Sequence, residues 1–292
     1  NPAAGTYFVS VVARRTNDVT YPNAGYTVRV QGQGTVTVPF DGGTSTVANQ
    51  AAGTWRYFRI DVPAGVLGWD LRLVNVTSGS PRLVVRRDQL PAGWNEDGFF
   101  PTGGWPSGKQ LPAREDMTGY RYGADGSDHA RRVLHMPMGR WLEPGTYYVG
   151  VSNEGTSPAM SYTVQSRGIG PGQSIVVADL AFGGGSATRS DLAPREVAYY
   201  KVTIPAGQTS WQVKVSATTG DVALLVRKDG LPTMWANFFG YTASTAYDHG
   251  LLVRKPGDEH YLLLPTYATN NNVMETTIPA GDYYFAVVSQ CG

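Results

Sequence analysis

The chain has 292 residues, enough for about two domains at roughly 100–200 residues each. Hydrophobic residues make up 41%, sufficient for packed cores, and the formal net charge of +1 gives neither a nucleic-acid surface nor a polybasic membrane patch. No apolar run approaches the roughly 18 residues of a membrane span, no helical periodicity is sustained, and 36 Gly and 19 Pro scattered between short apolar runs suit an all-β chain rich in turns.

The N-terminal stretch AAGTYFVSVVA (3–13) introduces a phrase that returns as EPGTYYVGVSN (143–153) and PAGDYYFAVVS (279–289). Its head glycines, Gly5, Gly145 and Gly281, lie 140 (5 to 145) and 136 (145 to 281) residues apart. That period is far longer than the roughly 20–50 residues of a solenoid unit and marks a tandem array of whole domains. GYTVRV (25–30) follows and returns as SYTVQS (161–166). Residues 1–31 therefore read as the terminal β-hairpin of a preceding or partner module.

Residues 32–167 read as the first full module. YFRIDVPAG (57–65) is matched later by YYKVTIPAG (199–207), and LVVRRDQLP (83–91) by LLVRKDGLP (224–232). In GTYYVGVSN, Tyr147, Val149 and Val151 share one face and Tyr148 and Gly150 the other, the period of two expected of a strand with one buried face. From Leu-Pro to the next Asp-His pair, this module has 37 residues (91 to 128) where its later copy has 16 (232 to 248). The insertion includes FFPTGGWPSGKQLPAREDMTGY (99–120). Gly168–Gly172 is the linker, short enough to restrict how the modules turn against each other.

Residues 173–292 read as the second module. Tyr200, Val202 and Ile204 alternate with Tyr199, Lys201 and Thr203; Trp211, Val213 and Val215 alternate with Gln212 and Lys214. Short strands with turn signals about every 8–12 residues predict antiparallel β-sandwiches. The second module reaches GDYYFAVVSQCG with no YTVxx strand after it, and is expected to lack its last strand. A sandwich short of a strand has an open edge. Either the chain is a segment of a longer array, or the N-terminal piece supplies GYTVRV to the second module of this or a neighbouring chain by strand addition. A head-to-tail version of that exchange would polymerise into a filament. On this expectation Tyr7, Val9, Val11, Tyr26, Val28 and Val30 of the first hairpin, and Tyr284, Ala286 and Val288 of the final strand, are assembly residues. Against it, residues 1–31 also carry a GTYF strand that would compete with the module's own GDYY strand.

The succession YYKVTIPAG, GDVALLVRKDGLPT (220–233), YDHG (247–250), GDEHYLLLP (257–265) and IPAGDYYFAVV (278–288) resembles the bacterial pre-peptidase C-terminal domain family. The resemblance covers most of 173–288 and, more loosely, 33–166. It implies jelly-roll-like β-sandwiches in secreted or cell-surface bacterial proteins, non-catalytic, serving secretion, substrate attachment or architecture, with calcium bound in some members. Two departures stand out. Ala223 follows Asp221 and Val222 where the family often has a second acid, and the first module has Ser80-Pro81 in place of Gly220-Asp221.

Catalytic motifs are absent from the sequence: no G-x-S-x-G elbow, H-E-x-x-H helix, P-loop or Rossmann fingerprint occurs. GTSTVA (43–48) resembles a serine-nucleophile phrase, but the His and Asp motifs that would accompany it are missing. Asp128-His129 and Asp248-His249 occupy matching positions, able to hold a metal or to tie a loop, whereas His135 and His260 do not align. A calcium ion would use loop acids: Asp125, Asp128, Asp221 and Asp248. Trp94 and Trp235 each follow a repeated Leu-Pro, and either plug the sandwich end or stack on sugar rings. Trp105 sits in the insertion and is the first choice for a contact residue. Asn75-Val76-Thr77 is a formal glycosylation acceptor within a predicted strand. Cys291 is the single cysteine, so its disulfide would have to be with another chain or with a residue beyond 292. These readings lead to a non-catalytic, extracellular or cell-surface structural segment. Its expected partners are further modules or copies of itself. The alternative is an accessory module that binds a polysaccharide or fibrous protein beside a hydrolase.

Overall fold

A computed structural model describes residues 5–12, 25–28, 30, 32, 34–91, 93, 104–112, 134–139, 142–193, 196–232, 251–253, 257–265 and 274–290. Among these residues there are strands and no helix, as the period-two alternation requires. The strands are β1 (Thr35–Thr37), β2 (Gly43–Gln50), β3 (Trp55–Val62), β4 (Gly68–Val74), β5 (Pro81–Arg87), β6 (Gln110–Pro112), β7 (Leu134–Met138), β8 (Gly145–Asn153), β9 (Met160–Ile169), β10 (Val177–Leu180), β11 (Val197–Ile204), β12 (Trp211–Val215), β13 (Asp221–Lys228), β14 (Leu251–Val253), β15 (Glu259–Leu263) and β16 (Gly281–Gln290).

They build two sandwiches. The first packs the sheet β1-β3-β8-β5-β6 on the sheet β2-β9-β4-β7; the second packs β10-β11-β16-β13-β14 on β12-β15. Pairing is antiparallel except at one place in each sandwich, where β1 lies parallel to β3 and β10 parallel to β11. The two parallel pairs share a register: Thr35 stands opposite Tyr57 and Val177 opposite Tyr199. The repeat seen in the sequence is thus a repeat of ladder positions.

The inward faces are those that the alternation assigns. Tyr147, Val149 and Val151 of β8 join Phe58, Ile60, Leu71 and Leu73 in the first core. Tyr200, Val202 and Ile204 join Leu224, Val226, Tyr283 and Phe285 in the second, with Val213 and Val215 packed at its side. The repeated Gly-x-Tyr has a local cause. Gly145 (φ 149°) and Gly281 (φ 129°) open their strands in backbone conformations that side chains disfavour. Two residues on, the buried Tyr147 hydroxyl donates to the Glu143 carbonyl at 2.9 Å, and the Tyr283 hydroxyl to the Pro279 carbonyl at 3.0 Å. Each tyrosine ties the turn before its strand to the core, the arrangement of a tyrosine corner.

β16 lies in the middle of its sheet, flanked by β11 and β13 along its length. The final strand therefore has no open edge. The edges of the second sandwich are β10, β14, β12 and β15; β12 has β15 as its only ladder partner among the described residues.

Candidate functional site

Two places in the fold stand out: the junction between the two sandwiches and a groove on the second sandwich.

The junction starts from β4 and β9. Their inward residues fill the first core, which turns Asp70, Arg72, Arg167 and Ile169 toward the second sandwich. β9 runs to Ile169, so it takes in the first two residues read as linker. Asp41, at the head of β2, fixes the segment beyond. Its carboxylate accepts from the Gly168 amide at 2.7 Å and the Ser174 amide at 3.0 Å. Burial raises the Asp41 pKa, but hydrogen bonds from Ser174 and from the amides of Gly168, Ser174 and Gly42 outweigh it and hold the carboxyl below its ordinary range. On the other side, the outward residues of β11, β13 and β16 (Val197, Tyr199, Ala223, Leu225, Ala286 and Val288) form an apolar face that packs with Ile169 and Leu67.

Four charges close over this apolar contact. Arg72 grips Asp70 through two bonds of 2.8 and 3.0 Å, and reaches Glu196 of the second sandwich at 2.8 Å. Arg167 bonds Asp70 at 2.8 Å and Glu196 at 2.9 Å. Two guanidiniums and two carboxylates balance, which allows Asp70 (0% exposed) and Arg72 (3%) to stay out of water. Burial alone would lower the Arg167 pKa; Asp70 and Glu196 outweigh it and raise it. Burial also pushes the Tyr199 hydroxyl well above its usual range.

The groove is on the far side of the second sandwich. In the first sandwich β9 lies between β2 and β4, with Tyr162, Val164 and Ser166 buried in the core. β12 is the counterpart of β4: Trp69 stands opposite Met138, and Trp211 opposite Leu263, in the same ladder. Residues 185–192 are the counterpart of β2, counted from the shared register of β1 and β10, but they form no strand and are mostly exposed. Between them and β12 runs a groove of about 860 Å³, floored by Leu180, Phe182, Tyr200, Phe285 and Val287. Leu71 and Leu73 of β4 are fully buried, whereas Val213 and Val215 at matching positions are half-exposed.

The structure spreads the expected site residues apart. Trp105, expected as a contact residue, is 0% exposed and belongs to the first core, so that expectation is corrected. Its indole donates to the Lys109 carbonyl at 2.8 Å and its ring meets Tyr147 edge-on at 5.1 Å. The Gly/Pro-rich loop turns the ring inward over the sandwich end. Ala286 and Val288 are buried in the junction, with Tyr284 packed beside them, so their partner is the first sandwich of the same chain. Tyr7, Val9, Val11, Tyr26, Val28 and Val30 are all exposed. Asn75 lies past the end of β4, exposed and at φ 56°, not inside a strand. Asp221 opens β13 and is half-buried. Trp94, Trp235, Asp125, Asp128, Asp248 and Cys291 lie outside the described residues. Among the described residues no three His, Cys, Asp or Glu side chains gather as a metal site. His135 and His260 do correspond, contrary to the sequence spacing: each stands three pairs along its ladder from the pair made by Trp69 or Trp211, opposite Arg72 and Lys214 respectively.

The junction charges do not stand out in the sequence. Their signal is present in WDLRLV, where an acid and a base two residues apart occupy the face opposite Trp69, Leu71 and Leu73, but an exposed strand face gives the same pattern. No family model and no curated protein matches the chain.

Proposed function

We propose that the chain is a non-catalytic structural segment of an extracellular or cell-surface protein, bacterial by its resemblance, in which tandem sandwiches act as a stiff spacer and assembly unit. The observation that supports this reading is the junction. A closed four-charge network over an apolar contact makes the two sandwiches one body, whereas freely hinged domains meet through small polar contacts. Small-angle X-ray scattering is the test. One elongated rigid particle is expected, with a pair-distance distribution unchanged between low and high salt. A distribution that needs two independently moving bodies would remove the spacer reading.

The rival, a glycan- or fibre-binding module, loses its first-choice contact residue to the core. It would be supported by retention on insoluble polysaccharide or collagen that survives Trp105→Phe and is abolished by Trp94→Ala or Trp235→Ala.

A further inference from the structure

We propose that the groove of the second sandwich takes residues 25–31 of a second copy of this chain as an inserted β-strand. The inference rests on the reading of the chain as an assembly unit and names its partner.

The groove has the shape of one absent strand. In the first sandwich, β9 bonds β2 on one edge and β4 on the other, and its alternate residues complete the core. In the second, the residues that would flank such a strand stand apart, with one edge of β12 unpaired among the described residues and the core visible between them. An exposed sheet edge over an apolar floor is what strand addition requires.

The chain carries a matching strand. GYTVRV (25–30) repeats SYTVQS (161–166) of β9. It has no ladder partner among the described residues, and Tyr26, Val28 and Val30 are 67%, 52% and 89% exposed. Set in the register of β9, these three residues take the buried positions of Tyr162, Val164 and Ser166, with Val30 and Val28 lying beside Val213 and Val215 on the core face. One cross-strand pair checks the register independently. Thr163 of β9 faces Thr46 of β2, with hydroxyl oxygens 3.0 Å apart. The corresponding residues are Thr27 on the donor and Thr188 beside the groove, so the pair is Thr–Thr again.

The connection is shorter than the one inside the chain: 5 residues separate Val30 from Thr35 (30 to 35), where 11 separate the matching Ser166 and Val177 (166 to 177). A donor strand seated in the groove would lead into the first sandwich of its own chain through this shorter step.

The donor cannot come from the same copy. The sheets stack in four layers: the β1 sheet, the β9 sheet, the β11 sheet and the β12 sheet. β1 is in the first and the groove in the fourth, roughly 30 Å away at about 10 Å per sheet spacing. Val30 and Thr35 can be at most about 17–18 Å apart along the chain. The contact is therefore heterologous, head to tail.

The test uses the full chain with Cys291→Ser. Separate Thr27→Cys and Thr188→Cys proteins are mixed and oxidised, and the doubly substituted chain is oxidised alone. A disulfide-linked heterodimer from the mixture, and a ladder of multimers from the double variant, are expected. Val28→Asp should abolish both; since Val28 is exposed, the change leaves each sandwich folded. A synthetic peptide of residues 23–34 should block cross-linking and shift Trp211 fluorescence. No heterodimer at high micromolar concentration, a cross-link that stays within one chain, or multimers that persist in Val28→Asp would each overturn the proposal. Peptide binding without any heterodimer would also overturn it, by giving the groove to a strand of other origin. The spacer reading is judged separately, by scattering from the Val28→Asp monomer: a rigid Val28→Asp monomer beside an otherwise wild-type chain that never cross-links sinks this inference alone.

Discussion

Glu196 is the second sandwich's contribution to the junction charges, so Glu196→Gln perturbs the junction while leaving both cores intact. The change keeps the size of the side chain and removes one negative charge. Asp70 is then left to balance both Arg72 and Arg167, and Arg72 is only 3% exposed. Removing a partner from a fully buried pair costs about 3–5 kcal/mol, and from an exposed pair about 0–1 kcal/mol. The Glu196 side chain, 31% exposed against a buried guanidinium, falls between, at about 2 kcal/mol. At about 2–4 °C per kcal/mol for a unit of this size, the melting transition should fall by about 4–8 °C. It should also broaden or split, because the sandwiches lose the contact that couples them. Calorimetry and urea unfolding followed by tryptophan fluorescence measure both effects. A double-mutant cycle with Arg167→Met isolates the pair, since Arg167 bonds both Asp70 and Glu196. Because the network is largely out of water, 1 M salt should change the result little. A variant that melts as one transition at the wild-type temperature would show that the charges sit at the junction without holding it, and the argument from a buried network to a stiff spacer would fail.

Three further outcomes follow from the cores. Tyr147→Phe and Tyr283→Phe each remove a hydroxyl that bonds the turn before its strand, and each should destabilise its own sandwich by about 1–2 kcal/mol in urea unfolding. Trp105→Ala should cost about 3–5 kcal/mol by opening a cavity beside Tyr147, with the Lys109 carbonyl keeping its bond from the Arg87 amide at 3.1 Å, and with no change in retention on polysaccharide. Burial raises the Tyr147 pKa to about 12, against about 10 in an unfolded chain. The folded form keeps its proton where the unfolded form has lost it, so this contribution is complete below pH 10 and is lost as pH rises through about 12. Alkaline titration of thermal stability should show the loss in the wild type and less of it in Tyr147→Phe.

Much of this architecture is legible in the sequence, because the alternation of Tyr147, Val149 and Val151 with polar or small neighbours has one solution in a sandwich. What the alternation cannot convey is a second buried face. Tyr199, Ala286 and Val288 are on the side of their strands that reads as outward, and they are buried because the first sandwich covers them. The same ambiguity hides Asp70 and Arg72: an acid and a base two apart on a strand look solvated until a neighbouring module supplies Glu196. Trp105 departs from its sequence expectation for the opposite reason. A Gly/Pro-rich loop suggests exposure, but such a loop can also fold a large ring back over an open sandwich end, where burial of the indole outweighs the entropy of ordering it.

The histidines show how loop length misleads where ladder register does not. His135 and His260 lie at different distances from their Asp-His pairs, yet each is in register with the matching residue, Arg72 or Lys214. Insertions in a connecting loop leave strand positions untouched, because inward packing fixes the register and a one-residue slip would turn every buried side chain outward. That constraint lets a strand be carried from one sandwich to the other by position alone. It is also why the Thr46–Thr163 pair is a stricter check on the proposed donor than the run of valines: many strands offer alternating apolar residues, but few also place a threonine where residue 188 requires one.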